Sequence, residues 1–495
     1  MPGIDSHIET DPRPLVKDRA GHSSSDTAIS RIHADPPPAA SVSSVSSVSS
    51  VATPTARTRS FHDESHDCNE LLRVAAVGAV DDGKSTLIGR LLHDTGQIPD
   101  DHLQAALMAS KRRGMDTLDL SLITDGLQAE RDQGITIDVA HRYFTIPGRK
   151  LIVADCPGHL QYTRNMATGS SNADLALVVV DITRGIRQQT TRHMVIASLF
   201  GIRQYIIAVN KMDSVSFDQT CFADILSALA DLGSRLDLTG MDLGEVTVIP
   251  VSALSGDNVV HRSERTSWYG GPTLLAALQH AHTHATAVSL SNGATSHTND
   301  STKAAMRLPV QSVIRVNGTS RRYAGMVAAG ELEAGQEVIV LPSRVHTRIE
   351  GIWSAAGQVA SAVSSTSVSV ALTDEVGISR GDVIVAANGL PQVTTHLEAV
   401  LCWWGMEPAS AGQHYLLKAG TKITRAKLSS IRTVLDVDNI QEVPAAKLPH
   451  NGIGKVEVET ASALTVDSYA ASRATGSFII VDESNNATLG AGMVI

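Results

Sequence analysis

Eight consecutive residues, Gly78-Ala79-Val80-Asp81-Asp82-Gly83-Lys84-Ser85, fit the pattern G-x-x-x-x-G-K-[ST]. The glycines let the backbone curl so that successive N–H groups face inward, and the start of a helix adds its own unpaired N–H groups and dipole. Such a loop suits the phosphates of a nucleotide. Lys84 brings a positive charge to the β- and γ-phosphates, and the Ser85 hydroxyl is a ligand for Mg²⁺. A chance glycine-rich turn would look similar in isolation. Here the loop follows an aliphatic run, LLRVAAV (71–77), and opens STLIGRLL, whose apolar residues recur at helical spacing.

Asp155-Cys156-Pro157-Gly158-His159 closes a second aliphatic run, LIVAD. An Asp at a strand end can hold the hydration shell of Mg²⁺. Gly158 lets backbone approach a γ-phosphate because it has no Cβ to block the way. His159 then stands where a hydrolytic water would be oriented, and it and Lys84 are the candidate catalytic residues. Asp155 alone reads as an ordinary turn residue; the phosphate loop makes the metal role the better reading.

Asn210-Lys211-Met212-Asp213 follows a third run, YIIAV. The Asp213 carboxylate can accept from both N1–H and the exocyclic amine of guanine. Adenine lacks that donor pair and would leave the carboxylate buried and unpaired, so the site selects GTP over ATP. The Lys211 stem can cover the base plane, and Asn210 can tie neighbouring loops. Ser252-Ala253-Leu254, after VTVIPV, would complete the base pocket through backbone N–H groups. Between the phosphate loop and Asp155, the charged stretch RDQGIT (131–136) precedes a β-like run. Thr136 could join the Mg²⁺ shell while the γ-phosphate is present and leave it afterwards, which would make the stretch a ligand-ordered switch. An ordinary surface loop is the plainer alternative.

These loops need a frame. The aliphatic runs at 71–77, 151–155, 175–181, 205–210 and 246–251 are short and continuous, and segments of helical spacing separate them. That pattern predicts an α/β domain with a doubly wound, mostly parallel sheet buried on both faces. Beyond about 305, runs such as LPVQSVIRV, EVIVL, TSVSVAL, DVIVA, HLEAVLCWW, TRAKLSSIRTVLDV, IGKVEVE and GSFIIVD are β-branched and broken by Gly, Asn, Pro and Asp. They predict two all-β barrel domains, 306–392 and 393–495. The nucleotide domain is placed at 67–281. Residues 282–305 are polar and without apolar period, which suits a linker. Residues 1–66, with the repeat SVSSVSSVSSV, cannot bury enough apolar surface to order themselves and are expected to be a disordered tail. A docking or phosphorylation role for that tail is the alternative.

Composition narrows the function classes. Across 495 residues the formal charge is −10, which opposes general nucleic-acid binding, because that needs a basic surface to displace counterions. Aromatics are only 3%, so any core must be aliphatic. Cys68, Cys156, Cys221 and Cys402 lie far apart and form no zinc spacing or disulfide framework, as in a reducing compartment. No apolar run approaches the roughly 20 residues that cross a bilayer, and the N-terminus lacks the apolar stretch of a signal peptide. A soluble, cytoplasmic protein with no membrane contact is expected.

The four motifs together resemble GTP-binding proteins of the translation-factor superfamily, which carry a GTPase domain followed by two β-barrels. Longer strings resemble the family of large, GTPase subunits of bacterial sulfate adenylyltransferase: GAVDDGKSTLIGRLLHDT, DGLQAERDQGITIDVAHRYF, DCPGHLQYTRNMATGSSNADLALVVVD, SALSGDNVV with WYGGPTLL, YLLKAGTKITRAKLSSI and YAASRATGSFIIVDESNNATLGAGMVI. The resemblance covers nearly everything from about 70 to 495. It implies GTP hydrolysis, with Mg²⁺, coupled to adenylyl transfer from ATP to sulfate, giving adenosine 5′-phosphosulfate and pyrophosphate. It also implies a small partner subunit that carries the adenylyl-transfer site. Some relatives fuse an adenosine phosphosulfate kinase after the last strand; with no second phosphate loop here, no kinase activity is expected. The chain departs from the family at Cys156 (usually Thr), Leu160 (usually Glu) and His141 (usually Tyr), and around RVNGTSRRYAGMV (315–327). Leu160 removes a charge beside His159, which would bear on hydrolysis or partner coupling. Two other readings stand beside this one: a translation-factor-like GTPase carrying tRNA, against which the net charge counts, and a regulatory GTPase that has lost hydrolysis.

Overall fold

The computed structural model describes residues 70–112, 114, 118–124, 139–158, 163–237, 241, 243–283, 305–316, 320–437 and 439–495. They all belong to one compact unit, Ser65–Ile495. The tail expected at 1–66 and nearly all of the linker at 282–305 lie outside the described residues, as do Thr136, His159 and Leu160.

The first part is a six-stranded sheet. Strand β1 (Glu70–Gly78) is flanked by β3 (Arg149–Asp155) and β4 (Leu175–Asp181), and β5 (Gln204–Asn210) and β6 (Glu245–Pro250) follow on the β4 side. These five strands run parallel. On the outer edge β2 (Ala140–Ile146) pairs antiparallel with β3. In sequence it is only a β-like run behind the switch stretch. Helices α1 (Lys84–Asp94), α2 (Asp100–Arg112), α3 (Ser121–Thr124), α4 (Thr163–Ser171), α5 (Gln188–Leu199), α6 (Gln219–Asp237) and α7 (Leu274–His280) complete this part among the described residues.

The continuous aliphatic strands follow from double-sided burial. Ala176, Val178 and Val180 of β4 join one core with α4, α5 and α6, while Leu175, Leu177 and Val179 join the other with α1 and α7. Successive side chains of a strand point to opposite faces, so a strand covered on both sides has no polar face. Chain order changes direction across β1: the next strands lie on one side of it and β4 on the other. Loops at such a switch point converge on a crevice at the carboxyl edge of the sheet.

The remainder is β-structure. Strands Arg307–Pro309, Ser312–Val316, Ser320–Met326, Glu337–Leu341, Val345–Ser354, Ser367–Leu372 and Val383–Ala386 form one curled antiparallel sheet around an aliphatic core. The next strand, Gln392–Trp403, opens a second domain with Lys422–Asp436, Ile453–Val466, Ser477–Val481 and Thr488–Val494. It closes into a six-stranded barrel because His414–Ala419 pairs with Ser477–Val481 on one side and Lys422–Asp436 on the other. Closure leaves no free edge among these six.

The barrel packs on the nucleotide domain through shared hydrophobic burial. Cys402, Val437, Ile440, Ile453 and Met493 lie in the same core as Met166, Val195 and Phe200. The loop after Ile453–Val466 then fastens all three parts. Asp467 holds the buried guanidinium of Arg307 in a two-pronged pair of 2.9 and 3.0 Å, reaching the first β-domain. Thr475 Oγ1 donates to Asp467 Oδ2 at 2.6 Å. Two and six residues after Asp467, Tyr469 Oη donates to Phe200 O at 3.1 Å and Arg473 donates to Ala173 O at 3.0 Å and to Gly201 O, reaching the nucleotide domain.

Candidate functional site

The carboxyl ends of β1, β3, β4 and β5 bring the sequence motifs to one edge. The phosphate loop leaves β1 at Gly78, where an added Cβ would stand 2.7 Å from Val179 O. Gly83 has φ +89°, a left-handed conformation suited to glycine, and a Cβ there would lie 2.3 Å from Asn210 Nδ2. Both glycines therefore answer to close packing as well as to backbone curl. Gly83 is the N-cap of α1, and no side chain caps that end, so the first-turn N–H groups are left to a ligand. Asp82 closes the loop from inside: its Oδ2 accepts from Ala79 N at 3.0 Å. Burial pushes the Asp82 carboxyl up to about 6, with the Ala79 N–H opposing and Asp181 adding to the shift.

Lys84 is buried, and its Nζ lies 2.7 Å from Asp155 Oδ1. The predicted phosphate-binding lysine and the predicted metal-shell aspartate thus neutralise one another across the loop. An ammonium and a carboxylate that are both out of water need a counter-ion at all times. Ser85 follows in the first turn of α1, half-buried. Among the described residues no three His, Cys, Asp or Glu side chains gather in a metal-binding group. A hydroxyl and one carboxylate fit a Mg²⁺ that keeps waters and takes its remaining ligands from phosphates.

Cys156 donates its N–H to Ala76 O at 3.0 Å, and its thiol is wholly buried. A Cβ on Gly169 would be 2.4 Å from the sulfur, so the side chain is packed against α4. Burial, reinforced by Asp155, pushes the thiol up to about 12, which makes it an inert packing group. Pro157 leads to Gly158, whose added Cβ would lie 2.9 Å from Gly78 O and 3.2 Å from Val80 N. The two loops touch through backbone at this point. His159 and Thr136 are not among the described residues, so the water-orienting and switch assignments have no geometry here.

The base-side loops are tied by Asn210, buried at the end of β5. Its Nδ2 donates to Asp82 O at 2.9 Å and its Oδ1 accepts from Ala253 N at 2.9 Å. Met212 is fully buried beneath it. Asp213 accepts from Ser252 Oγ at 2.5 Å, which fixes the carboxylate. Leu254 is 66% exposed beside it, apolar surface that a base would cover. Lys211 adopts φ +63°, and its Nζ donates to Asp81 O at 2.6 Å and to Asp181 Oδ2 at 2.7 Å.

Three contributors escaped the sequence reading. Arg90 of α1 donates from Nε to Ala253 O at 3.0 Å and holds Leu254 O as well, securing the loop after β6 from the helix that follows the phosphate loop. Arg184 donates to Val80 O at 3.3 Å and stands 3.8 Å from both Asp81 and Asp181. Asp181 itself ends LALVVVD, a strand-end acid of the kind that drew attention to Asp155; that signal was available. Arg90 and Arg184 carry no motif.

Residues 69–285 match the elongation factor Tu GTP binding domain family, and residues 396–495 match the GTP-eEF1A C-terminal domain-like family. Over 427 residues the chain is 45% identical to sulfate adenylyltransferase subunit 1 of Tolumonas auensis, covering 86% of each chain. It is 43% identical over 436 residues to sulfate adenylyltransferase subunit 1 of Aeromonas salmonicida, covering 88% of each. With the bifunctional enzyme CysN/CysC of Mycobacterium tuberculosis it shares 44% identity over 434 residues, 86% of this chain and 67% of that one. The chain belongs to the sulfate adenylyltransferase subunit 1 family, built on a GTP-binding domain of the elongation factor Tu type.

Proposed function

We propose that the chain binds GTP with Mg²⁺ at the carboxyl edge of its parallel sheet and couples GTP hydrolysis to the formation of adenosine 5′-phosphosulfate and pyrophosphate from ATP and sulfate. The adenylyl transfer itself falls to a small companion subunit. The observation that carries the nucleotide part is Asn210, which ties the phosphate loop to the loop of Ser252, Ala253 and Leu254 so that the phosphate and base ends of one ligand are read by one rigid body.

In this reading the loop 78–85 and Lys84 cradle the phosphates, while Asp213 reads the guanine edge. Ser85, Asp155 and Thr136 would hold the metal, which when bound supplies positive charge to the β- and γ-phosphates. Phosphates at this loop would give Lys84 a new counter-charge and free Asp155 from its 2.7 Å pair, leaving its carboxylate available to accept from waters of a bound Mg²⁺. His159 would orient the attacking water. A sulfate–phosphate anhydride is hard to form, and a GTP-driven conformational change passed to the companion subunit is a physical source for the missing free energy. The tRNA-carrying alternative has less support: the relatives that match along most of their length are named sulfate adenylyltransferase subunit 1, and the chain is acidic overall.

The test mixes the purified chain with its small subunit, ATP, sulfate and Mg²⁺ and follows pyrophosphate release. GTP is expected to raise the rate, and a non-hydrolysable GTP analogue is not expected to sustain it. A rate indifferent to GTP in a complex that binds GTP overturns the coupling.

A further inference from the structure

Asp181 lies at the end of β4, in none of the recognised nucleotide motifs, yet it is buried to 2% exposure beside them. One oxygen, Oδ1, accepts from Thr183 N at 2.9 Å and Thr183 Oγ1 at 2.7 Å, which shapes the turn that follows. The other, Oδ2, faces Lys211 Nζ at 2.7 Å. Lys211 reaches past it to Asp81 O on the phosphate loop, and a third of the Lys211 side chain remains exposed. Burial alone would raise the carboxyl; the Lys211 and Thr183 hydrogen bonds outweigh it and hold Asp181 below the usual carboxylate range. A buried charge that stays ionised fixes its partner's position, because releasing the ammonium would leave the carboxylate only the more distant Arg184, 3.8 Å away.

We propose that Asp181 is a positioning residue for the guanine site: by holding the Lys211 ammonium between β4 and the phosphate loop, it stretches the lysine's aliphatic stem into the ledge on which the purine plane lies. The inference rests on the assignment of Lys211 and Asp213 to a guanine base. A stem pinned at its far end has already lost its rotamer freedom, so the base gains the contact without that ordering cost. The contact is with the base plane and is blind to the hydrogen-bonding edge that Asp213 reads.

Asp181→Asn separates the two halves of the residue. Its side-chain oxygen still serves Thr183, while an NH₂ group replaces the oxygen that faces Lys211 and sets donor against donor. With the full-length chain and fluorescent guanine nucleotides, GTP and GDP are expected to bind about ten-fold more weakly, the loss of one charge-assisted hydrogen bond. Preference for GTP over xanthosine triphosphate stays as it was. Asp213→Asn, measured alongside, moves that preference instead. On a Lys211→Ala background Asp181→Asn costs nothing further. Thr183→Val, which disturbs only the turn, leaves affinity within about two-fold, well short of a lost charged pair.

Equal losses from Asp181→Asn with and without Lys211, no loss at all, or a Thr183→Val loss as large as that of Asp181→Asn would overturn the role of Asp181 and leave the guanine assignment standing. A Lys211→Ala chain that binds GTP as tightly as the parent would remove the lysine from the site and take both readings down.

Discussion

Asp82 shows how a single residue sets a condition on the whole loop. It is wholly buried, one oxygen serves Ala79 N–H, and the other has no hydrogen-bond partner among the described residues. Its carboxyl is raised from 3.8 to about 6, burial being the largest cause, Asp181 adding to the rise, and Arg187 and Lys211 opposing it. A raised carboxyl favours the fold only while protonated: the contribution is complete below about pH 4 and is lost as pH climbs through about 6. Asp82→Asn, which is neutral throughout, is therefore expected to be more stable than the parent at pH 7.5 by at most about 3 kcal/mol, and equal to it near pH 4. Urea unfolding at the two pH values checks this; an advantage that does not change with pH would mean the carboxylate's charge is not the cause. The residues proposed to hold the ligand by their own chemistry were legible in the sequence, since Lys84, Ser85, Asn210 and Asp213 sit in linear motifs. Arg90 and Arg184 were not, because their partners are main-chain atoms and acids that meet only after folding, while Asp181 had only its place at the end of LALVVVD to mark it.

At the scale of elements, the site depends on how closely two loops approach. Gly158 and Gly78 meet with no room for a methyl group between them. Gly158→Ala would overpack backbone against backbone, at a cost of about 1–3 kcal/mol that the loops can relieve only by separating. GTP affinity is expected to fall about ten-fold, and GDP, which lacks the γ-phosphate proposed to lie at Gly158, should lose far less. Titration with both nucleotides decides it; equal losses would place the strain elsewhere. The central parallel strands were legible because double-sided burial leaves continuous aliphatic runs, as in β1, β4 and β5, and β3 and the edge strand β6 coincide with runs that are only partly buried. Strand β2 was harder to read, since its outer position exposes alternate residues and breaks the run. The β-character of the C-terminal half was visible in composition. Its pairing order was not, because Gln392–Trp403 lies between Ile453–Val466 and Thr488–Val494, partners some sixty and ninety residues away.

On the scale of the molecule, the loop from Asp467 to Gly476 is where the three parts are joined. Asp467→Ala would leave the Arg307 guanidinium, 5% exposed, without its carboxylate. Removing one member of a buried pair costs about 3–5 kcal/mol. Combined with Arg473→Ala, which gives up the contacts to Ala173 O and Gly201 O, the loss falls on polar contacts between domains and spares the apolar cores. Calorimetry is expected to show one cooperative transition in the parent and separated transitions in the double variant. A single transition at the parent's midpoint would mean that shared apolar burial alone joins the domains.

That loop also restricts how the protein can change shape. Three of its side chains grip the nucleotide domain at the ends of α4 and α5 and the first β-domain at its opening strand, and barely two helical turns' worth of chain separates the grips. A hinge so short has almost no slack. If α4 or α5 shifts when the phosphates are exchanged, the displacement passes through ten residues of chain to Asp467 and Arg307, and the opening strand of the first β-domain is drawn along with it.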